Sequence, residues 1–233
     1  MPDTPPYLLP FLLETPETDL ETVDGVDLYL PRGSDPAPAA VLIHGGPLSD
    51  AVTVGPREWP AYVGYAALLA RAGVVGVMFE HRYRVGEPMA AAYEDIRAKI
   101  ETARAHPRVD PDRLAVWAFS AGGSFLGPFL AQPPDWLRAV AATYAGMRPR
   151  TTELVSAVDA VAGGLPVPTL VTRVELDYPM VAATVRDFVA VALDAEIIDV
   201  PGARHGFETV DHTDVARDAV RAAVAWVATR LTA

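Results

Sequence analysis

Residues 114–119 are apolar throughout. A run this short and unbroken reads as a strand covered on both faces, the condition of a parallel sheet's interior. Ser120 follows at once, among Ala118, Ala121, Gly122 and Gly123, and Phe125 opens a stretch with helical character. Strand, tight turn and helix in that order put the serine hydroxyl at the C-terminal edge of a sheet. The first N–H groups of the helix then point at whatever the hydroxyl attacks. The segment Ala118-Phe119-Ser120-Ala121-Gly122 matches G-x-S-x-G with alanine in the first small position. That adds one methyl group where strand and helix approach closely. A strand-to-helix turn capped by a serine looks the same locally. Chemistry therefore requires a base, an acid and an oxyanion site elsewhere in the chain.

The remainder of the chain fits a sheet built around that strand. Residues 20–23 and 26–30 flank Asp24-Gly25, a two-residue hairpin signal. Beyond them strands are expected at 39–43, 74–79, 139–143, 169–174 and 196–200. Helices are expected at 59–72, 88–105, 125–131, 181–193 and 214–231. The alternation predicts an α/β fold: a mostly parallel central sheet of about eight strands, an N-terminal antiparallel hairpin, and helices on both faces. No repeat or linker divides residues 1–233, so one domain is expected. Residues 1–16 hold Pro2, Pro5, Pro6, Pro10 and Pro16 beside apolar residues, and predict an irregular arm lying against the body. Residues 146–166 form one long connection, with a possible helix at 152–161 and a possible role as a small cap.

Composition narrows the function classes. The 233 residues carry a formal charge of −11 and no cysteine. Such an acidic chain is a poor match for nucleic acid or an anionic membrane surface. Thiolate catalysis, disulfides and cysteine metal sites are excluded. The N-terminus lacks the basic n-region of a secretory signal, and no segment has the length of a membrane-spanning helix, so a cytoplasmic location is expected.

Ligands of parallel sheets collect at the carboxyl ends of strands. The reactive side chains that follow strands are His44, Ser120, Glu175, Asp177 and His205. Serine, then acid, then histidine is the chain order of one fold in particular. The sequence resembles the α/β-hydrolases, nearest to the small serine esterases and the dienelactone-hydrolase-like branch. The resemblance runs from about residue 20 to the end. It rests on His44-Gly45-Gly46-Pro47, on Val109-Asp110-Pro111-Asp112-Arg113, on Ser120-Ala121-Gly122-Gly123 and on Gly202-Ala203-Arg204-His205-Gly206-Phe207. Dienelactone hydrolases use a cysteine nucleophile, which this chain lacks, so the resemblance implies serine-ester chemistry.

The roles follow from what that chemistry needs. Ser120 is the expected nucleophile, and His205 the base that takes its proton. The resemblance puts the acid just beyond the strand at 169–174, which implies Asp177, with Glu175 as the alternative. Oxyanion donors are expected from Ala121 N–H and from Gly45 or Gly46; Pro47 has no N–H to offer. His44 and His81 are expected to hold loops, His106 to face solvent, His212 to precede the last helix, and Ser124 to be a helix residue. His44, His81 and His205 lack the close spacing of a ligand set, so no metal and no cofactor is expected. Leu48, Trp59, Met147, Tyr178 and Phe207 are candidates for a substrate pocket. The expected function is hydrolysis of small to medium carboxylic esters through an acyl-enzyme. An oligopeptidase- or aminopeptidase-like amide hydrolase, or a noncatalytic ligand-binding member of the fold, are the alternatives.

Overall fold

The computed structural model describes residues 4–233; Pro2 of the expected arm lies outside the described residues. The chain runs β1 (Asp19–Val23), β2 (Val26–Leu30), β3 (Ala37–Ile43), α1 (Pro60–Arg71), β4 (Val75–Phe79), α2 (Met89–Arg104), β5 (Val109–Phe119), α3 (Leu126–Ala131), β6 (Leu137–Thr143), α4 (Ala157–Ala160), β7 (Thr169–Leu176), α5 (Pro179–Val191), β8 (Glu196–Arg204), α6 (Phe207–Val210) and α7 (Asp214–Thr232). The strands form one eight-stranded sheet in the order β1-β2-β4-β3-β5-β6-β7-β8. β1 pairs with β2, and β2 with β4, antiparallel; every other pairing is parallel. The α/β architecture with its N-terminal hairpin is the one expected from the sequence.

Alternation along each strand divides the core in two. On β5, Leu114, Val116 and Ala118 face one apolar layer, and Ala115, Trp117 and Phe119 face the other. β3 does the same with Ala39, Val41 and Ile43 against Ala40 and Leu42. The first layer is closed by α2, α3 and α5, the second by α1 and α7. A strand buried on both faces cannot carry polar side chains at either phase, which is why β5 reads as a continuous apolar run.

Several boundaries depart from the sequence reading. β5 begins at Val109, which pairs with Ala37 across an irregularity in register. β8 continues past Pro201-Gly202 to Arg204, which pairs with Leu176 after a second irregularity. The helix expected at 152–161 is only Ala157–Ala160. Ser156 takes the N-cap and accepts from Asp159 N–H, while the β-branched Thr151 and Thr152 lie outside it. Ala157, Val158 and Val161 are buried in the first core layer, so this connection packs on the body. The N-terminal arm is anchored at its far end. Phe11 and Leu12 are buried, and Leu12 N–H donates to the Glu208 carbonyl at 2.8 Å. No helix among the described residues is long and apolar enough to cross a membrane.

Candidate active site

Ser120 sits where β5, the centre of the sheet, gives way to a 3₁₀ turn, Ser120–Phe125. Its φ of 52° is in the left-handed region, unusual for a residue with a Cβ, and turns the side chain out of the strand direction. Such a bend requires close backbone approach. A Cβ on Gly122 would lie 2.6 Å from the Ile43 carbonyl oxygen and 2.7 Å from that of His44. Ala118 faces the first core layer and tolerates its methyl. The neighbouring strand end closes from the other side, where Gly146 N–H donates to the Ser120 carbonyl at 2.8 Å.

Three strand ends converge on this hydroxyl. His205, just past β8, brings Nε2 to 2.7 Å from Ser120 Oγ. Its Nδ1 lies 2.6 Å from Asp177 Oδ1, just past β7. A carboxylate only accepts, so Nδ1 carries the proton and Nε2 is left to accept from the Ser120 hydroxyl. Asp177 Oδ1 also accepts from Tyr178 N–H at 2.7 Å. The Asp177 and His205 side chains are only 3 % and 14 % exposed, which shields the pair from water. Glu175, the alternative acid, is engaged elsewhere. Its Oε2 accepts from Gly202 N–H at 2.7 Å, at the irregularity that lets β8 run on toward His205.

The loop after β3 forms the other wall. His44 Nδ1–H donates to the Gly45 carbonyl at 2.6 Å, and His44 Nε2 accepts from His81 N–H at 3.3 Å. His81 Nε2–H donates back to the His44 carbonyl at 3.2 Å. The two rings stack at 3.7 Å and 2°. This arrangement is consistent only with two neutral imidazoles. Burial lowers the His81 pKa to about 4, and burial with the neighbouring His81 lowers that of His44 well below its usual value. Gly45 N–H donates to the Tyr62 hydroxyl at 3.2 Å. The N–H groups of Gly46 and Ala121 have no partner among the described residues. Between Gly45 and Gly46, the uncommitted donor is therefore Gly46.

Two clefts meet at Ser120. The larger, about 490 Å³, is walled by Leu48, Trp59, Tyr62, Tyr144 and Tyr178, with Tyr7 of the arm stacked on Trp59 at 4.5 Å. The smaller, about 310 Å³, is bounded by Tyr83, Arg148, Arg150 and Met180. Leu48, Trp59 and Tyr178 thus line the site. Met147 and Phe207 do not: both are fully buried, Met147 in the first core layer and Phe207 in the second, edge-on to Tyr144. Each directly follows a residue that lines a cleft, but its side chain turns inward to apolar neighbours. His106 also differs from expectation. It is buried, with Nε2 3.1 Å from Glu21 Oε2, because the turn after α2 brings its ring against β1. Ser124 lies in the 3₁₀ turn and His212 is exposed before α7. No cluster of three or more potential metal ligands occurs among the described residues.

Sequence reasoning missed Tyr62, Tyr144 and Glu208, all of which line the larger cleft. Tyr62 and Tyr144 read as ordinary core aromatics. Glu208, three residues after His205, reads as a surface carboxylate beside a helix.

A central serine turn, an acid and a histidine on successive strand ends, and this strand order are those of the α/β-hydrolase fold, and the chain has that fold. Residues 26–131, under half of the chain, match the family model BD-FAE. No curated protein sequence matches. Among solved structures, an esterase of Pyrobaculum calidifontis aligns at TM-score 0.72 and 18 % identity, over 93 % of this chain and 86 % of that one. Thermogutta terrifontis esterase 2, in a form phosphoramylated by tabun, aligns at 0.71 and 19 %, over 95 % and 98 %. The thermophilic carboxylesterase EstE1, cloned from a metagenomic library, aligns at 0.68 and 20 %, over 95 % and 92 %.

Proposed function

We propose that this protein is a serine esterase that cleaves small to medium carboxylic esters through an acyl-enzyme. The observation that carries the reading is the relay from Ser120 Oγ to His205 Nε2, 2.7 Å, and from His205 Nδ1 to Asp177, 2.6 Å. As Ser120 attacks the ester carbonyl, its proton passes to Nε2, and Asp177 stabilises the resulting imidazolium. The carbonyl oxygen becomes an oxyanion that accepts from Ala121 and Gly46 N–H. The tetrahedral adduct collapses, the C–O bond to the alcohol breaks, and the alkoxide leaves with the proton from Nε2. Water, deprotonated by the same nitrogen, then attacks the acyl-Ser120 ester. The second tetrahedral adduct releases the acid and returns the proton to Ser120.

Likeness to several esterases supports ester substrates, and the two modest clefts support small acyl and alcohol groups. The test is pre-steady-state hydrolysis of p-nitrophenyl butyrate. We expect a burst of p-nitrophenol close to one per chain, and its loss in Ser120→Ala. Organophosphate should label the wild type at Ser120 and leave Ser120→Ala untouched. Full turnover by Ser120→Ala would refute the assignment.

A further inference from the structure

A second carboxyl group lies beneath the site, and the hydrolysis just described does not use it. Glu208 is 1 % exposed and lies in the wall of the cleft that holds Ser120 and His205. Its two oxygens accept from the Tyr65 and Tyr144 hydroxyls, each at 2.9 Å. Tyr65 comes from α1. Tyr144 follows β6 with a φ of 36°, another left-handed backbone in a residue bearing a Cβ. The Tyr144 ring lies 4.5 Å from the His205 ring, and the Tyr178 ring lies 4.7 Å from it. Glu208 therefore holds one of two aromatic rings packed against the imidazole.

We propose that Glu208 is a positioning residue for His205, fixing it through Tyr144 and favouring its protonated form with a buried negative charge. The proposal rests on the esterase reading only for its effect on turnover. The groups that face Glu208 are few. Tyr62 and Tyr65 come from α1, Tyr144 from the end of β6, and His205 from the loop before α6; the arm supplies only the Leu12 backbone N–H. No arginine or lysine pairs with Glu208 among the described residues, so His205, once it has taken the Ser120 proton, is the group its charge acts on. Burial raises the Glu208 pKa to about 7, against the pull of the two tyrosine hydroxyls and His205. Its charged form is therefore only partly populated at neutral pH and grows as pH rises through 7. The proton that reaches His205 still comes from Ser120. Glu208 exchanges its own with solvent and forms no bond to substrate.

The test pairs Glu208→Gln with Tyr144→Phe in the full chain. Glutamine keeps the volume, removes the charge and obliges one tyrosine to reverse its hydrogen bond. Phenylalanine keeps the ring and removes its tether. With p-nitrophenyl butyrate, we expect kcat in Glu208→Gln to fall about tenfold with KM within about twofold. The acid limb of kcat against pH should move to lower pH. In a Ser120→Ala background, adding Glu208→Gln should lower the NMR titration midpoint of His205 by at least about half a pH unit. That readout needs no turnover. An inactive wild type would therefore overturn the esterase reading while the titration still decides this one. An unchanged His205 midpoint in folded Glu208→Gln overturns the proposal, as does an unchanged pH profile. If Glu208→Gln does not fold, Tyr144→Phe decides. A fall in kcat with a moved His205 midpoint supports the proposal, and an unchanged midpoint overturns it.

Discussion

A methyl group on Gly45 would sit 2.8 Å from Ser120 Cβ and 3.1 Å from its Oγ. The nearest atoms belong to the Ser120 side chain, so the serine must yield and move off the His205 nitrogen. Gly45→Ala should therefore lower kcat/KM by about 10²-fold, because misplacing a reacting group by about 1 Å costs that much. The melting temperature should stay within a few degrees. A variant with wild-type kcat/KM would show that Ser120 does not need this space. Residue types in this region were legible: small residues flank Ser120, and glycines follow β3. The partner of each amide was not. What separates Gly45 from Gly46 is Tyr62, 17 positions along on α1, whose hydroxyl accepts from Gly45 N–H. Likewise Glu175 and Asp177 are chemically alike and two residues apart. They part company only because one accepts from Gly202 and the other from His205.

The loops after β3 and β4 are held together by the neutral, stacked His44 and His81, and this gives the protein a pH dependence of known sign. Keeping His81 neutral when its pKa falls from 6.5 to about 4 corresponds to roughly 3 kcal/mol of stability. That contribution is complete above pH 6.5 and lost as pH falls toward 4; His44 acts in the same direction. Glu208 works oppositely. Its folded pKa is raised from 4.5 to about 7, so its contribution is largest below 4.5 and disappears as pH rises through 7. Between pH 4.5 and 6.5 two histidines oppose one glutamate, and net stability falls on acidification. Glu208→Gln removes the opposition. Its urea midpoint should fall more steeply between pH 6.5 and 5 than that of the wild type; parallel slopes would contradict the opposed ionisations. At this scale the hairpin and the buried strands were readable from turn residues and apolar runs. The extensions of β5 and β8 were not, since Asp110-Pro111-Asp112 and Pro201-Gly202 look like strand ends. Each joins the sheet only across an irregularity in register with its neighbour.

Across the whole molecule, the arm before β1 links the helical layer to the site. Phe11 packs on Tyr65 at 5.5 Å, and a Cβ on Gly64 would meet its ring at 2.3 Å, so α1 and the arm touch without a gap. Phe11→Ala should cost about 3 kcal/mol, because deleting a buried ring loses its transfer free energy and leaves a cavity. The measurement is the urea midpoint, with p-nitrophenyl ester turnover per folded chain as the companion. A midpoint unchanged within error would mean that the arm adds nothing to the fold.

What the order of residues specified was local and periodic. Strands buried on both faces must be apolar at every position, helices on a sheet must carry one apolar face, and a tight strand-to-helix turn must have small neighbours. Those demands fall on consecutive residues, so they leave a readable trace. The association of Glu208 with Tyr65 and Tyr144, the facing of Met147 and Phe207 into the core, and the engagement of the Gly45 amide were decided by tertiary packing. Each depends on partners brought from other strands and helices, and hydrogen bonds between distant residues impose no periodicity on the chain between them.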